Sequence, residues 1–112
     1  MQAADTHKTM LDKARALSSS NLTEAEGLCR RAVEMAVLEG NKSVEAEGRH
    51  LHAQLLFNLG RNIDAIEQIK AAIALREEIN DKAKVSVSLN SLGIFLSEIG
   101  DYSTALESSL RS

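Results

Sequence analysis

Alanine recurs at intervals of 40 residues along this chain, at Ala25, Ala65 and Ala105, and Ala32, Ala72 and Ser112 repeat the same offset seven residues later. Around these positions the segments Asn21-Leu22-Thr23-Glu24-Ala25, Arg61-Asn62-Ile63-Asp64-Ala65 and Asp101-Tyr102-Ser103-Thr104-Ala105 each open an apolar pattern. A period of this length restricts the fold severely. One such unit cannot bury its apolar face alone, so copies must stack side by side.

Within each unit the spacing is that of an amphipathic helix. Ala25, Leu28, Cys29, Ala32, Val33 and Ala36 form one stripe, and Ala65, Ile66, Ile69, Ala72 and Ile73 form its successor. Each stripe is preceded by a second helical pattern: Met10, Leu11, Ala14 and Leu17; then Leu51, Leu55, Leu56 and Leu59; then Leu89, Leu92, Leu96 and Ile99. The spacing therefore predicts six helices in three pairs. Asn21 with Glu24 has capping-box spacing, Asp81 is placed to cap the fifth helix, and Gly40, Gly60 and Gly100 stand where helices should stop. Short connections of this kind pack consecutive helices antiparallel.

Composition suits this reading. Proline is absent and aromatics make up 3%, which favours long helices with alanine, leucine, isoleucine and valine in the core. With 44% hydrophobic and 26% charged residues over 112 positions, the chain has the balance of one folded domain and not of a disordered segment. Its net charge of −3, without a long basic block, argues against nucleic acid or an anionic membrane as partner. No run is apolar enough to span a bilayer, and the polar stretch from Met1 to Leu17 is unlike a secretion signal. Cys29 is the only cysteine, so no internal disulfide is available and a cytoplasmic setting is expected.

The third unit carries the sharpest pattern: Leu89, Leu92-Gly93, Leu96, then Gly100-Asp101-Tyr102 and Ala105. It resembles the tetratricopeptide repeat, in which a bulky residue, a Leu-Gly pair, another bulky residue and a later alanine set how two helices interlock. Glycine or alanine is needed where backbones nearly touch, a role open to Gly93, Ala53 and Ala14. The resemblance covers nearly the whole chain. It departs from the family in its 40-residue period against the usual period of about 34, in lacking the closing proline, and in having Arg49 and His52 at expected core positions.

The resemblance implies an all-α fold, a TPR-like α-α superhelix of three antiparallel helix pairs, with units of 5–39, 43–79 and 81–112 in a single domain. By comparison with the second unit, about seven residues of the last helix are missing after Ser112, as expected of a piece of a longer array. The long period and the run Glu77-Glu78-Ile79-Asn80-Asp81-Lys82 are similar to the amino-terminal repeat arrays of bacterial signalling proteins, including diguanylate cyclases and sensor kinases, and more distantly to kinesin light chains. The implied role is a non-catalytic, regulatory module for protein–protein interaction. The alternative is a peptide receptor using its concave groove.

No residue set supports catalysis or a cofactor. His50 and His52 lie two apart, whereas helical metal ligands need a spacing of three or four, so no metal site is expected. Cys29 shares its helical face with Ala25, Ala32 and Val33 and reads as a small buried hydrophobe. Glu77, Glu78 and Asp81 read as a solvated helix end and a cap. Asn21-Leu22-Thr23 and Asn41-Lys42-Ser43 match the glycosylation acceptor pattern, but capping accounts for both.

Two surfaces remain as candidates. Matching the chain to the family puts Lys8, Leu11, Arg15, His50, Gln54, Phe57, Val87, Asn90 and Ile94 on a concave groove that takes a protein or peptide. At the far end, Leu92, Phe95, Leu96, Leu106 and Leu110 would ordinarily be covered by the next helix, and exposing them invites a homodimer.

Overall fold

The computed structural model describes residues 7–17 and 21–111, with side-chain surroundings defined over 10–17 and 21–100. The described residues are all-helical and contain no strand. Five helices follow one another: α1 (His7–Leu17), α2 (Leu22–Glu39), α3 (Lys42–Asn58), α4 (Asn62–Glu78) and α5 (Lys82–Arg111).

Three turns of one design separate α2 to α5. Gly40, Gly60 and Asn80 take left-handed φ values of 69°, 83° and 62°, a region that glycine enters freely and asparagine tolerates. After each of them the next backbone N–H donates to the carbonyl five residues back: Asn41 to Ala36, Arg61 to Leu56, and Asp81 to Arg76, at 2.8–2.9 Å. This is the Schellman arrangement, which satisfies carbonyls that a helix end would leave orphaned. The following residue then starts the next helix. Asn21, Asn41 and Asp81 each accept a bond at 3.2 Å from the N–H three residues on, while Arg61 makes no such cap.

Each helix packs on the next, and α1 also touches α3. One core cluster joins Leu11 and Ala14 of α1 to Ala25, Cys29 and Ala32 of α2 and Leu51 and Leu55 of α3. A second joins Ala53 and Leu56 of α3 to Ala65 and Ile69 of α4 and Phe95 of α5. Ala25, Ala32, Ala65 and Ala72 are fully buried, so within the described side chains the 40-residue recurrence falls on core positions. Phe57 and Phe95 stack with ring centroids 4.4 Å apart and tie α3 to α5.

Six helices were expected and five are found among the described residues. The turns at Gly40, Gly60 and Asn80 fall every 20 residues, and Gly100 is next in that series, yet α5 runs through it to Arg111. An isolated glycine costs a helix only about 1 kcal/mol, so it does not stop one unless a returning helix fixes the turn. Ala53 and Ala14 are fully buried, whereas nothing lies within 4 Å of a Cβ built on Gly93.

Candidate functional site

The most polar part of the interior lies where α3, α4 and α5 meet. Arg76, in the last turn of α4, is 5% exposed. Its Nη1 donates to Ser88 Oγ at 2.5 Å and to the Lys84 carbonyl at 3.3 Å, and lies 3.3 Å from His50 Nδ1. His50 Nδ1 is also 2.9 Å from Ser88 Oγ. The hydroxyl, the ring nitrogen and the guanidinium thus lie within hydrogen-bond reach of one another, with the donor and acceptor roles of His50 set by its tautomer. Burial, then Arg76 and Arg15, push His50 down to about 4, so the ring is neutral at pH 7. Burial likewise lowers Arg76, opposed by Glu47 and Asp81.

This cluster forms the floor of a cleft of about 240 Å³ lined by Arg15 of α1, Glu47, His50, Leu51 and Gln54 of α3, Arg76 of α4, and Lys84 and Val87 of α5. Three cations face one carboxylate. Glu47 is bonded to Arg15, and the net effect holds its carboxyl below the usual range although burial alone would raise it. The cleft therefore carries excess positive charge in a chain whose net charge is −3. A larger opening of about 440 Å³ beside Gly60 and Ile99 is lined by Arg61 and Asp64, which pair with each other and leave little chemistry to offer.

Of the nine groove residues expected from sequence, Arg15, His50, Gln54 and Val87 come together in this cleft. Leu11 does not. It is 2% exposed in the first core cluster and cannot present a surface, because α1 turns that stripe toward α2 and α3. Phe57 is half-buried against Phe95, Asn90 and Ile94 are exposed further along α5, and Lys8 lies outside the residues with described side chains. Sequence reasoning missed Arg76, Glu47 and Lys84. A signal existed for Arg76: its counterpart 40 residues earlier is the buried Ala36, and a charge at a buried repeat position is conspicuous.

The residues expected to self-associate are also divided. Phe95 is buried in the second core cluster and Leu92 packs beside it, so neither is freely offered. Leu96 is 48% exposed, and Leu89, not among those expected, is 50% exposed. Leu106 and Leu110 lie outside the described side chains. His52 is buried at the α2–α3 interface with Nε2 3.0 Å from Glu26 Oε2, far from the His50 cluster in role. Cys29 is buried in the core, and burial pushes its thiol up to about 12. Among the described residues no three His, Cys, Asp or Glu side chains gather to hold a metal, and no helix is long and apolar enough to cross a membrane.

No protein-family model, curated protein or solved structure matches the chain.

Proposed function

We propose that the chain is a non-catalytic protein–protein interaction module of the tetratricopeptide type, serving in the cytoplasm as the regulatory part of a bacterial signalling protein. The open face of α5 carries this reading. On α3, Ala53 and Leu56 are buried in the cluster they form with α4. Their counterparts 40 residues on, Gly93 and Leu96, together with Leu89, stay open on α5. An interlocking face without its second helix is an attractive dock for a helix from a partner or from a second copy.

The test is sedimentation equilibrium on the chain and on a Leu89→Lys/Leu96→Lys double variant. Concentration-dependent dimers lost in the variant are expected for self-association. A chain that stays monomeric at high concentration, and whose binding to any full-length signalling partner is unchanged by the variant, would sink the reading.

A second reading, peptide capture in the concave cleft, is favoured by the convergence of Arg15, His50, Gln54 and Val87 there. Changing His50, Gln54 and Asn90 to alanine should weaken a captured peptide and leave self-association intact. The reverse pattern would count against it.

A further inference from the structure

Four open positions on α5 fall on one line. Leu89 is 50% exposed and Leu96 48%, and nothing lies within 4 Å of a Cβ built on Gly93 or Gly100. Successive spacings of four, three and four residues keep them on a single face of the helix. Ser88 and Phe95 are buried and hold another face of α5 against the fold, so this line is left open. Its order is large, small, large, small. A mid-helix glycine weakens a helix relative to alanine, and two on one open line are what a closely approaching second helix requires.

Reversed, the line reads small, large, small, large. Two copies laid antiparallel therefore set Leu89 over Gly100 and Leu96 over Gly93, and both pairings obey one two-fold axis passing between Ile94 and Phe95. The charges follow the same axis. Lys82 stands seven residues before Leu89 and Glu107 seven residues after Gly100, both in helical register with the line, so opposite charges meet at each end. A parallel pairing would instead bring leucine onto leucine, glycine onto glycine, Lys82 onto Lys82 and Glu107 onto Glu107.

We propose that α5 is the contact of a two-fold homodimer, in which α5 of a second copy lies antiparallel along this line and each leucine fits over a glycine of the other copy. The packing is knob into hole, and the glycines let the two backbones approach closely. This rests on the reading of the α5 face as a dock and names its occupant and register. One helix on one helix is a small interface, so the dimer forms at high protein concentration.

The experiment uses the chain in a Cys29→Ala background, which removes its only cysteine. Leu89→Cys and Gly100→Cys are made in separate copies and oxidised alone and mixed. Along one helix the two positions lie about 16 Å apart. In the antiparallel pair like positions are offset by the same amount, beyond the about 7 Å between Cα atoms that a disulfide spans. A bond should therefore form in the mixture and in neither variant alone. Sedimentation of the unaltered chain should show dimers. Lys82→Glu turns two attractive exposed pairs repulsive and should weaken them about tenfold, and Lys82→Glu/Glu107→Lys should restore them. Bonds in either variant alone, or a dimer without the mixed bond or without the charge rescue, would overturn the proposal and leave the α5 dock in place. A monomer at every concentration would also overturn it; partner binding lost in the Leu89→Lys/Leu96→Lys variant would then keep the dock and assign it to a different protein.

Discussion

Gly48 and Val33 approach so closely across the α2–α3 junction that a Cβ built on Gly48 would lie 2.7 Å from Val33 Cγ2. Val33 is buried and β-branched, so it cannot swing aside without leaving its rotamer. Gly48→Ala therefore overpacks the junction by about 1–3 kcal/mol, offset by about 1 kcal/mol of better helix propensity. A net loss of up to about 2 kcal/mol in urea unfolding is expected. Adding Val33→Ala should recover part of it; a single variant as stable as the wild type would mean the junction opens at no cost.

Gly93 is the opposite case, a mid-helix glycine with open space beside it. Gly93→Ala should raise the stability of the monomer by about 0.5–1 kcal/mol, because alanine loses less backbone freedom on folding. If α5 docks a helix at this point, the same change should also weaken association. A stability gain with unaltered association would place the docking contact elsewhere.

His50, half-buried, and His52, buried, both weaken the fold in acid. His50 takes up its proton near pH 4 in the folded chain but at its ordinary value of 6.5 when unfolded. Between these values the unfolded chain binds more protons. Stability is thus complete above pH 6.5 and declines as pH falls toward 4, by up to about 3 kcal/mol from this residue. His52 is lowered mainly by burial, against its bond to Glu26, and acts in the same direction. His50→Gln should flatten the dependence seen in urea midpoints measured between pH 4 and pH 7; an equally steep profile would assign it to other groups.

Cys29 should be inert in the folded chain. Its thiol is buried and held near 12, so almost no thiolate exists at neutral pH. Ellman's reagent should react only as urea opens the core, with the rate tracking the unfolded population. Rapid stoichiometric labelling of native protein would contradict the placement of Cys29 against Ala25 and Leu55 in the first cluster.

Much of the architecture can be read from local chemistry. Asn21, Asn41 and Asp81 declare their caps because a short polar side chain before a helical stripe has one obvious use. Gly40 and Gly60 mark stops for the same kind of reason. Gly100 misleads because a glycine only permits a turn, and the returning helix that enforces one is a tertiary matter. Leu11 was expected on the groove through alignment by analogy, although its helical stripe with Ala14 already belonged to the core. Arg76 escaped notice because a basic residue near a helix end is normally solvated. Only comparison with Ala36, one period earlier, distinguishes it.

Helix α5 has Lys84 in its first turn and Leu96 three turns later, on a single uninterrupted rod. Twelve residues of helix separate these two side chains by about 18 Å. The helix has no break in that interval, so its Lys84 end and its Leu96 end keep a fixed spacing. The cleft and the open face are thus borne on one element at a set distance, with the Phe57–Phe95 stack fastening that element to α3 between them.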